Sequence, residues 1–373
     1  MEVIPSRTIV TAPARPPSPV PDPATTTPTD AAAPVAPTSA RPARSPALDR
    51  LRGVALVAML VHHLTEWLTG DARAVLPGWR SFSLTDAAAV AFFVAAGASM
   101  ALFVASRRRR GQPRRRVGAQ VLRRYGLLVP IGVALDWAFW RDPRMFGVLE
   151  ALGTTVVLGA LVAAVVPRRA LPVVTAAVVW LGVCTEHAVD GRTDWWSDEV
   201  LAGKFPLVTY LGFVLIGVTV VRMGWYADRR KVSAAAAVGA LVAIGLIADG
   251  LVPDRYPGDV HFVVPGLAVT IIVYALAQLP WPGSLAPLDR GLCQAGAHTL
   301  GIFVAHYAVY GMLRHAGLLG EIPGAVAVPA ALVVTGVVCV LAPKVPQPAW
   351  SVRAGWRRGA RGRAVGSSPD VES

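Results

Sequence analysis

Apolar stretches of about 20 residues recur along the whole chain and are separated by short polar loops, and a helix of that length crosses the hydrocarbon core of a bilayer. With 54% hydrophobic residues, 16% charged residues and a mean hydropathy of +0.50, the chain is too apolar for a soluble protein of its size. We therefore predict an all-α, polytopic integral membrane protein with about ten transmembrane helices. The predicted spans are 51–68, 83–105, 124–140, 148–167, 170–187, 205–221, 233–250, 260–280, 295–313 and 323–342.

The two ends of the chain differ in composition from this apolar region. Residues 1–46 are rich in Pro, Ala, Thr and Ser, which predicts a disordered tail, and residues 344–373 form a basic tail. Residues 47–343 form the predicted transmembrane domain. No basic segment leads into a short apolar stretch with a cleavage site, so we expect the first span to be retained. The three cysteines have neither disulfide nor metal-ligand spacing, and we predict no metal site.

The basic residues predict the orientation. Most of the 36 Lys and Arg residues lie in the two tails and in alternate loops, above all 107–124 and 222–231, whereas acidic residues gather in the other loops. Loops rich in Lys and Arg remain cytoplasmic, so we predict cytoplasmic termini and a multi-pass protein of the plasma membrane. The net charge of +13 is spread between apolar stretches, which argues against nucleic acid as a partner and for the lipid bilayer. The sequence leaves the oligomeric state open.

The first span carries ionisable residues at membrane depth. His62 and His63 follow Arg52 by about 15 Å of helix, which places them in the predicted outer half of the bilayer. Glu66 follows one turn later and can orient an imidazole. Such residues are costly in a membrane and often mark function. A hydrogen bond to a neighbouring helix is the structural alternative, and the sequence does not decide between the two histidines.

Further ionisable residues are expected in the same outer half, where they predict a polar chamber open to the outside. For Asp136 and Glu150, ordinary solvated charges or pairs with Arg141 and Arg144 are the simpler interpretation. The predicted members of the chamber region are Asp86, Asp136, Glu150, His306 and Tyr310.

The predicted inner face carries a dense group of arginines between the second and third spans. Anchoring on anionic lipid explains most of this loop. Arg52, Arg123 and Arg124 differ because each lies where a helix enters the membrane, and we predict that they bind the phosphates of a nucleotide.

Several segments resemble a known family in their order along residues 47–343. The segment Asp49-Arg50-Leu51-Arg52-Gly53, followed by Val61-His62-His63, resembles the first helix of transmembrane acyltransferases, both the acyltransferase-3 family and the heparan-alpha-glucosaminide N-acetyltransferase-like family. The second family is favoured by Trp79, Leu84-Thr85-Asp86 and the segment from Phe92 to Gly97. Two more segments, Leu211 to Gly217 and Gly296 to Leu300, resemble its bacterial relatives.

The resemblance implies an enzyme that moves an acyl group, acetyl above all, from cytoplasmic acyl-CoA to an acceptor across the membrane, commonly a sugar. Acyl-CoA is then a co-substrate, and no permanently bound cofactor is implied. His62 or His63 would act as general base or as a covalent acyl carrier, with Glu66 or Asp86 orienting it. Arg52, Arg123 and Arg124 would bind the CoA phosphates.

One position departs from the family pattern, because Leu76 stands where the animal lysosomal members have histidine. The alternative function is a carrier or flippase for a small polar or lipid-linked substrate, with the buried acids forming a proton or ion pathway. The chain has no internal repeat typical of such carriers, and its arginines are concentrated at one inner face, so we favour the enzyme.

Overall fold

The computed structural model describes residues 45–70, 84–140, 146–189, 194–248 and 260–344, all within the compact unit that begins at Arg44. The two predicted tails lie almost entirely outside these residues, so the predicted domain division stays a prediction. All regular structure in the described part is helical. The twelve α-helices are α1 (Pro46–Thr69), α2 (Leu84–Arg109), α3 (Arg114–Val121), α4 (Leu128–Trp140), α5 (Val148–Val165), α6 (Leu171–Val189), α7 (Leu207–Arg222), α8 (Arg229–Ala248), α9 (Val260–Ala277), α10 (Ala286–Ala297), α11 (Thr299–His315) and α12 (Gly324–Leu341).

The predicted fold class, an all-α polytopic membrane protein, is confirmed. Eleven of the twelve described helices overlap the predicted spans, α10 only by its last three residues, and α3 lies between two of the spans. By length and apolar composition, four described segments suit a membrane crossing: Asp86–Arg109, Val148–Val165, Val260–Ala277 and Gly324–Leu341. Two shorter apolar helices, Leu171–Thr185 and Leu207–Arg222, accompany them. The inside-outside orientation stays a prediction.

The third span does not begin as predicted at residue 124. Residues 114–121 already form α3, and a π-helical turn from Leu122 to Gly126 joins it to α4. Pro130, in the first turn of α4, has no N–H to donate to the carbonyl of Gly126, so a regular α-helical hydrogen bond cannot form at this point. The wider π turn carries Arg123 and Arg124 at the junction.

The predicted ninth span, 295–313, is divided at His298 into the end of α10 and most of α11, which continues to His315. Helix α10 was not predicted as a span because it is too polar. Asp289, Arg290 and Gln294 lie within its twelve residues. This helix packs against the first half of α1. A Cβ at Gly296 would overlap the backbone of Asp49, so the missing side chain allows the two backbones to approach.

Helix α1 occupies a central position, because it packs against α2, α9, α10, α11 and α12. Its neighbour α2 packs in turn along α7, where Gly97 meets the backbone of Val214 and Gly217 meets that of Val94. These close approaches are typical of packing between membrane helices. The histidines of α1 therefore project into a surrounded region of the bundle.

Candidate active site

The last turn of α1 is fixed in place by its own cap and by the segment between α11 and α12. Gly70 has a φ of 69°, which favours glycine, and its N–H bonds to the carbonyl of Glu66. The N–H of Gly320 donates to the carbonyl of Trp67 at 2.9 Å, and the N–H of Ile322 donates to that of Leu68 at 2.9 Å. The last turn of α1 is thereby held beside the segment that follows α11.

Three rings from α1 and α11 stack on one another. The ring centroids of His63 and His306 are 5.8 Å apart at an interplanar angle of 20°. Trp67 lies 5.5 Å from His306 at 10° and 5.7 Å from His63 at 27°. We call His63, Trp67 and His306 the histidine stack. It brings together His63 and His306, which lie far apart in the sequence and were both predicted for the outer half of the membrane.

His306 is the most enclosed member of the stack, with 1% of its surface exposed. Its Nδ1 bonds to the backbone carbonyl of Phe303. A carbonyl can only accept, so Nδ1 carries a proton in this arrangement, and in the neutral imidazole Nε2 then keeps the lone pair. The rings of Phe303 and Tyr307 approach to 4.8 Å and 4.5 Å and restrict the imidazole further. Such an imidazole is oriented to act as a base through Nε2.

His62 and Glu66 form the carboxylate-imidazole pair that their spacing predicted. The His62 Nε2 lies 3.8 Å from the Glu66 Oε2. His62 is 5% exposed, whereas 43% of the Glu66 side chain remains accessible. The adjacent histidines therefore have different surroundings, because His62 faces a carboxylate and His63 faces α11.

Aromatic residues extend the histidine stack toward α4. The Tyr310 ring lies 4.7 Å from that of Trp67, and Phe139 lies 5.3 Å from Tyr307. Sequence reasoning named Tyr310 but missed Trp67, Tyr307 and Phe139. For Trp67 a signal was present, because it lies one helical turn after His63. Phe139 reaches the site only through the packing of α4, which the sequence does not specify.

Asp136 and Glu150 form a buried pair between α4 and α5, each 3% exposed. A Cβ at Gly147 would contact both carboxyl groups, and one at Gly132 would overlap that of Glu150, so both glycines leave space for the pair. The interpretation as solvated charges is therefore wrong, and Arg141 and Arg144 lie outside the described residues.

Asp86 is also buried, at 3% exposure, in the first turn of α2. Its predicted role in orienting a histidine stays a prediction.

The three predicted phosphate-binding arginines lie at two different helix contacts. Arg52 bonds to the Asp49 carboxylate at 3.1 Å and to the Gly296 carbonyl at 3.1 Å, at the junction of α1 with α10. Arg123 and Arg124 are exposed on the π turn. The Arg124 guanidinium lies 5.7 Å from the Phe103 ring, and that of Arg107 lies 5.2 Å from the same ring. Two cations of the basic loop are thus held together by one aromatic residue of α2.

Arg50 makes a contact that sequence reasoning did not anticipate. Its Nε and Nη2 donate to the two carboxylate oxygens of Asp289 at 2.6 and 2.9 Å, and its Nη1 donates to the carbonyl of Ala277 at 2.6 Å. These hydrogen bonds hold the pKa of Asp289 below its usual value. Arg50 therefore fastens the start of α1 to both α9 and α10. A bidentate contact of this kind is a structural anchor.

A sequence model of the family described as "heparan-alpha-glucosaminide N-acetyltransferase, catalytic" matches residues 44–248, just over half of the chain. No curated protein matches the chain. The matched region includes α1 to α8, and with them His62, His63, Glu66 and the Asp136–Glu150 pair, whereas His306 and Tyr310 lie beyond it. Leu76 and Trp79 fall within this region but outside the described residues. The predicted resemblance is thereby confirmed, and the chain belongs to the heparan-alpha-glucosaminide N-acetyltransferase catalytic-domain family of transmembrane acetyltransferases.

Proposed function

We propose that this protein transfers an acyl group, acetyl above all, from cytoplasmic acyl-CoA to an acceptor on the other side of the plasma membrane. Membership of the family supports a membrane-bound acetyltransferase. The observation that carries the proposal further is the contact between His63 and His306, next to the His62–Glu66 pair. Imidazoles serve both as general bases and as acyl carriers in such reactions.

In the direct mechanism, an imidazole Nε2 removes the proton from an acceptor hydroxyl or amine as that group attacks the thioester carbonyl carbon. The carbon-sulfur bond then breaks, and the CoA thiolate takes the proton from the imidazolium. In the covalent variant, the imidazole Nε2 attacks the thioester carbonyl carbon, the carbon-sulfur bond breaks and CoA leaves as the thiolate. The acceptor then attacks the acyl-imidazole and displaces the imidazole, and the acceptor's proton neutralises the CoA thiolate. His306, with Nδ1 bonded to Phe303, and His62, beside Glu66, both present groups suited to these steps. His63 lies between the two, with its ring centroid 6.2 Å from that of His62 and 5.8 Å from that of His306.

The donor site is proposed at the inner arginines. CoA carries several phosphate groups, and exposed guanidinium groups bind phosphate through paired hydrogen bonds. Arg123 and Arg124 are exposed on the π turn, with Arg107 and Arg124 both beside Phe103. Arg52 has part of its hydrogen-bonding capacity engaged by Asp49 and Gly296, so we assign it the lesser contribution.

The acceptor is proposed to be a sugar or a cell-envelope glycan. Its hydroxyl or amino groups would approach from the predicted outer side, where the accessible Glu66 carboxylate lies at the end of α1. Carboxylates and imidazoles accept hydrogen bonds from hydroxyl groups, as such an acceptor requires.

The transfer reaction is tested by following CoA thiol release from acetyl-CoA in proteoliposomes supplied with a panel of neutral sugars and amino sugars. We expect acceptor-dependent release in the wild type and a loss of about 10²- to 10⁴-fold in His306→Ala, the range for removing a general base. His315→Ala, an exposed histidine at the end of α11, is the matched control and should retain wild-type activity. Equal activity in both variants would refute the role of the histidine stack.

Donor binding is tested separately by titrating acetyl-CoA and longer acyl-CoAs into the detergent-purified protein. The Arg123→Ala, Arg124→Ala double variant should bind more weakly, and the loss should be greatest at low ionic strength. Arg290→Ala with Lys344→Ala removes two other exposed cations and serves as the control. Failure of the folded wild type to bind any acyl-CoA would contradict the proposed donor.

A carrier remains the second candidate because the buried Asp136–Glu150 pair resembles the carboxyl groups of proton-coupled transport. A carrier would move a sugar across proteoliposomes without an acyl donor, and Asp136→Asn would abolish that uptake. Sugar uptake without CoA release would favour the carrier, whereas CoA release that depends on the acceptor would favour the transferase.

A further inference from the structure

A cavity of about 480 Å³ lies between α6, α7 and α9, lined almost entirely by apolar side chains. We call it the α6–α9 groove. Its wall on α6 includes Pro172, Ala176, Val179 and Val183, and Val263 of α9 lies across from them. The groove is separate from the histidine stack, since α1 and α11 contribute none of its lining residues.

The threonine hydroxyl groups in the groove wall are satisfied internally. The hydroxyl groups of Thr175 and Thr219 bond to each other at 2.8 Å and are buried, so neither requires a polar ligand. Behind them, α6 and α7 approach closely, because a Cβ at Gly212 would meet Val179. The result is a firm apolar wall. Hydrocarbon fills such a space without leaving a polar group unpaired.

The length of the groove matches one leaflet of a bilayer. From Pro172 to Val183, α6 advances by about 16 Å, and half of the hydrocarbon core is about 15 Å. Trp225 lines the groove near the end where α6 begins, and tryptophan is enriched at the membrane-water interface. These dimensions suit one acyl chain of a phospholipid.

Exposed cations lie beside the same end of the groove. Arg168 and Arg169 precede Pro172 by three or four residues, and Arg229 and Arg230 follow Trp225 by four or five. The nearby acid, Asp228, is paired with Lys231 at 3.2 Å. The local surface is therefore positive, which complements a phosphate-bearing headgroup.

We infer that the α6–α9 groove binds an acyl chain of an anionic phospholipid, with its headgroup at Arg168, Arg169, Arg229 and Arg230. The apolar wall selects the chain, and the arginines select the charge. This lipid site is distinct from the proposed acyl-transfer reaction and does not depend on it.

The site is tested with phosphatidylglycerol that carries a photoreactive group in its acyl chain, added to the purified full-length protein, with labelled peptides identified by mass spectrometry. We expect labelling of α6, α7 and α9 that unlabelled phosphatidylglycerol competes away. Ala176→Trp fills the groove and should suppress this labelling, whereas Ala177→Trp places the same side chain on the adjacent exposed position of α6 outside the groove and should not. Uniform labelling of all helices, or equal labelling of the two variants, would overturn the site.

The headgroup preference is tested by competition between phosphatidylglycerol and phosphatidylcholine. The preference of the wild type for the anionic lipid should fall by about fivefold for each arginine replaced by alanine, the effect of one basic residue near a charged membrane surface. The groove labelling itself should persist in these variants. Equal competition by the two lipids in the wild type would overturn the anionic assignment.

Discussion

The two ends of α1 are held in different ways. At its start, the helix lies close to α10, where Gly296 meets the backbone of Asp49. Arg50 also donates hydrogen bonds there to the Asp289 carboxylate and to the Ala277 carbonyl. At its other end, ring stacking of His63 and Trp67 on His306 joins it to α11. The first end has short, directional contacts between atoms with no reactive role. The second end is held by backbone hydrogen bonds from the segment after α11, and its side chains place ionisable rings against one another.

This contrast indicates a division of labour along one helix. The side-chain anchor at the start and the backbone hydrogen bonds of the last turn fix α1 at both ends, and neither set of contacts uses the stacked rings of His63 and His306. The imidazoles can therefore be arranged for proton transfer, while the stability of the bundle rests on the junction with α10. Substitutions at the two ends should accordingly separate activity from stability.

The largest effect is expected from His306→Asn. Asparagine keeps a donor for the Phe303 carbonyl but lacks a basic Nε2, so acyl transfer should fall by about 10²- to 10⁴-fold. The free energy of unfolding, measured by denaturant titration in mixed micelles, should change far less. If His306→Asn lowers the free energy of unfolding but leaves the activity per folded molecule unchanged, the histidine end of α1 serves stability rather than the reaction, which contradicts the proposal.

Arg50→Met should reverse this pattern, with a loss of about 2 kcal/mol in the free energy of unfolding. This loss is smaller than the loss expected for a fully buried ion pair, because 14% of the Arg50 side chain and 26% of the Asp289 side chain remain exposed. Arg230→Met, at an exposed position outside this junction, is the control. Equal stability of these two variants would show that the Arg50–Asp289 contact does not anchor α1.

The same contact predicts a dependence of stability on pH. Arg50 lowers the pKa of Asp289 in the folded protein below the ordinary value of 3.8. The ion pair therefore contributes its full stability above pH 3.8, and this stability is lost as the pH falls through the lower pKa of the folded state. Unfolding measured from pH 6 downward should show this loss in the wild type. Asp289→Asn should remove this part of the pH dependence, and an unchanged profile would contradict it.

Local patterns in the sequence predicted features within a single helix, but they did not predict the contacts between helices that are distant in the sequence. The His62–Glu66 pair follows from a spacing of four residues, and the positions of most spans follow from hydropathy. The approach of His63 to His306 depends on the placement of α11, which no local pattern determines. The Arg50–Asp289 pair was missed for a related reason, because α10 is too polar to be found as a span.

Gly296→Ala should have a smaller effect than Arg50→Met, about 1 to 2 kcal/mol of destabilisation. The added methyl group meets the Asp49 backbone and forces α1 and α10 apart. Gly291→Ala lies in the same helix, where an added Cβ has no atom within 4 Å, and should instead gain about 0.5 to 1 kcal/mol from helix propensity. Thermal unfolding of the two variants measures the difference, and equal values would contradict the close approach of the helices.

The smallest effect on stability, about 1 kcal/mol, is expected from Trp67→Leu, because ring contacts of this kind contribute about 0.5 to 1.5 kcal/mol beyond burial. Trp67→Leu should change the rate of acyl transfer more than it changes stability, because Trp67 contacts His63, His306 and Tyr310 at once. Leucine leaves the imidazoles in place but removes the flat surface that orients them. CoA release should therefore become slower while the binding of acetyl-CoA is unchanged. Trp137→Leu, at a tryptophan 60% exposed on α4, controls for the loss of an indole ring. If both variants lose activity equally, the aromatic contacts serve only to pack the bundle, and the C-terminal end of α1 is an anchor of the same kind as its start.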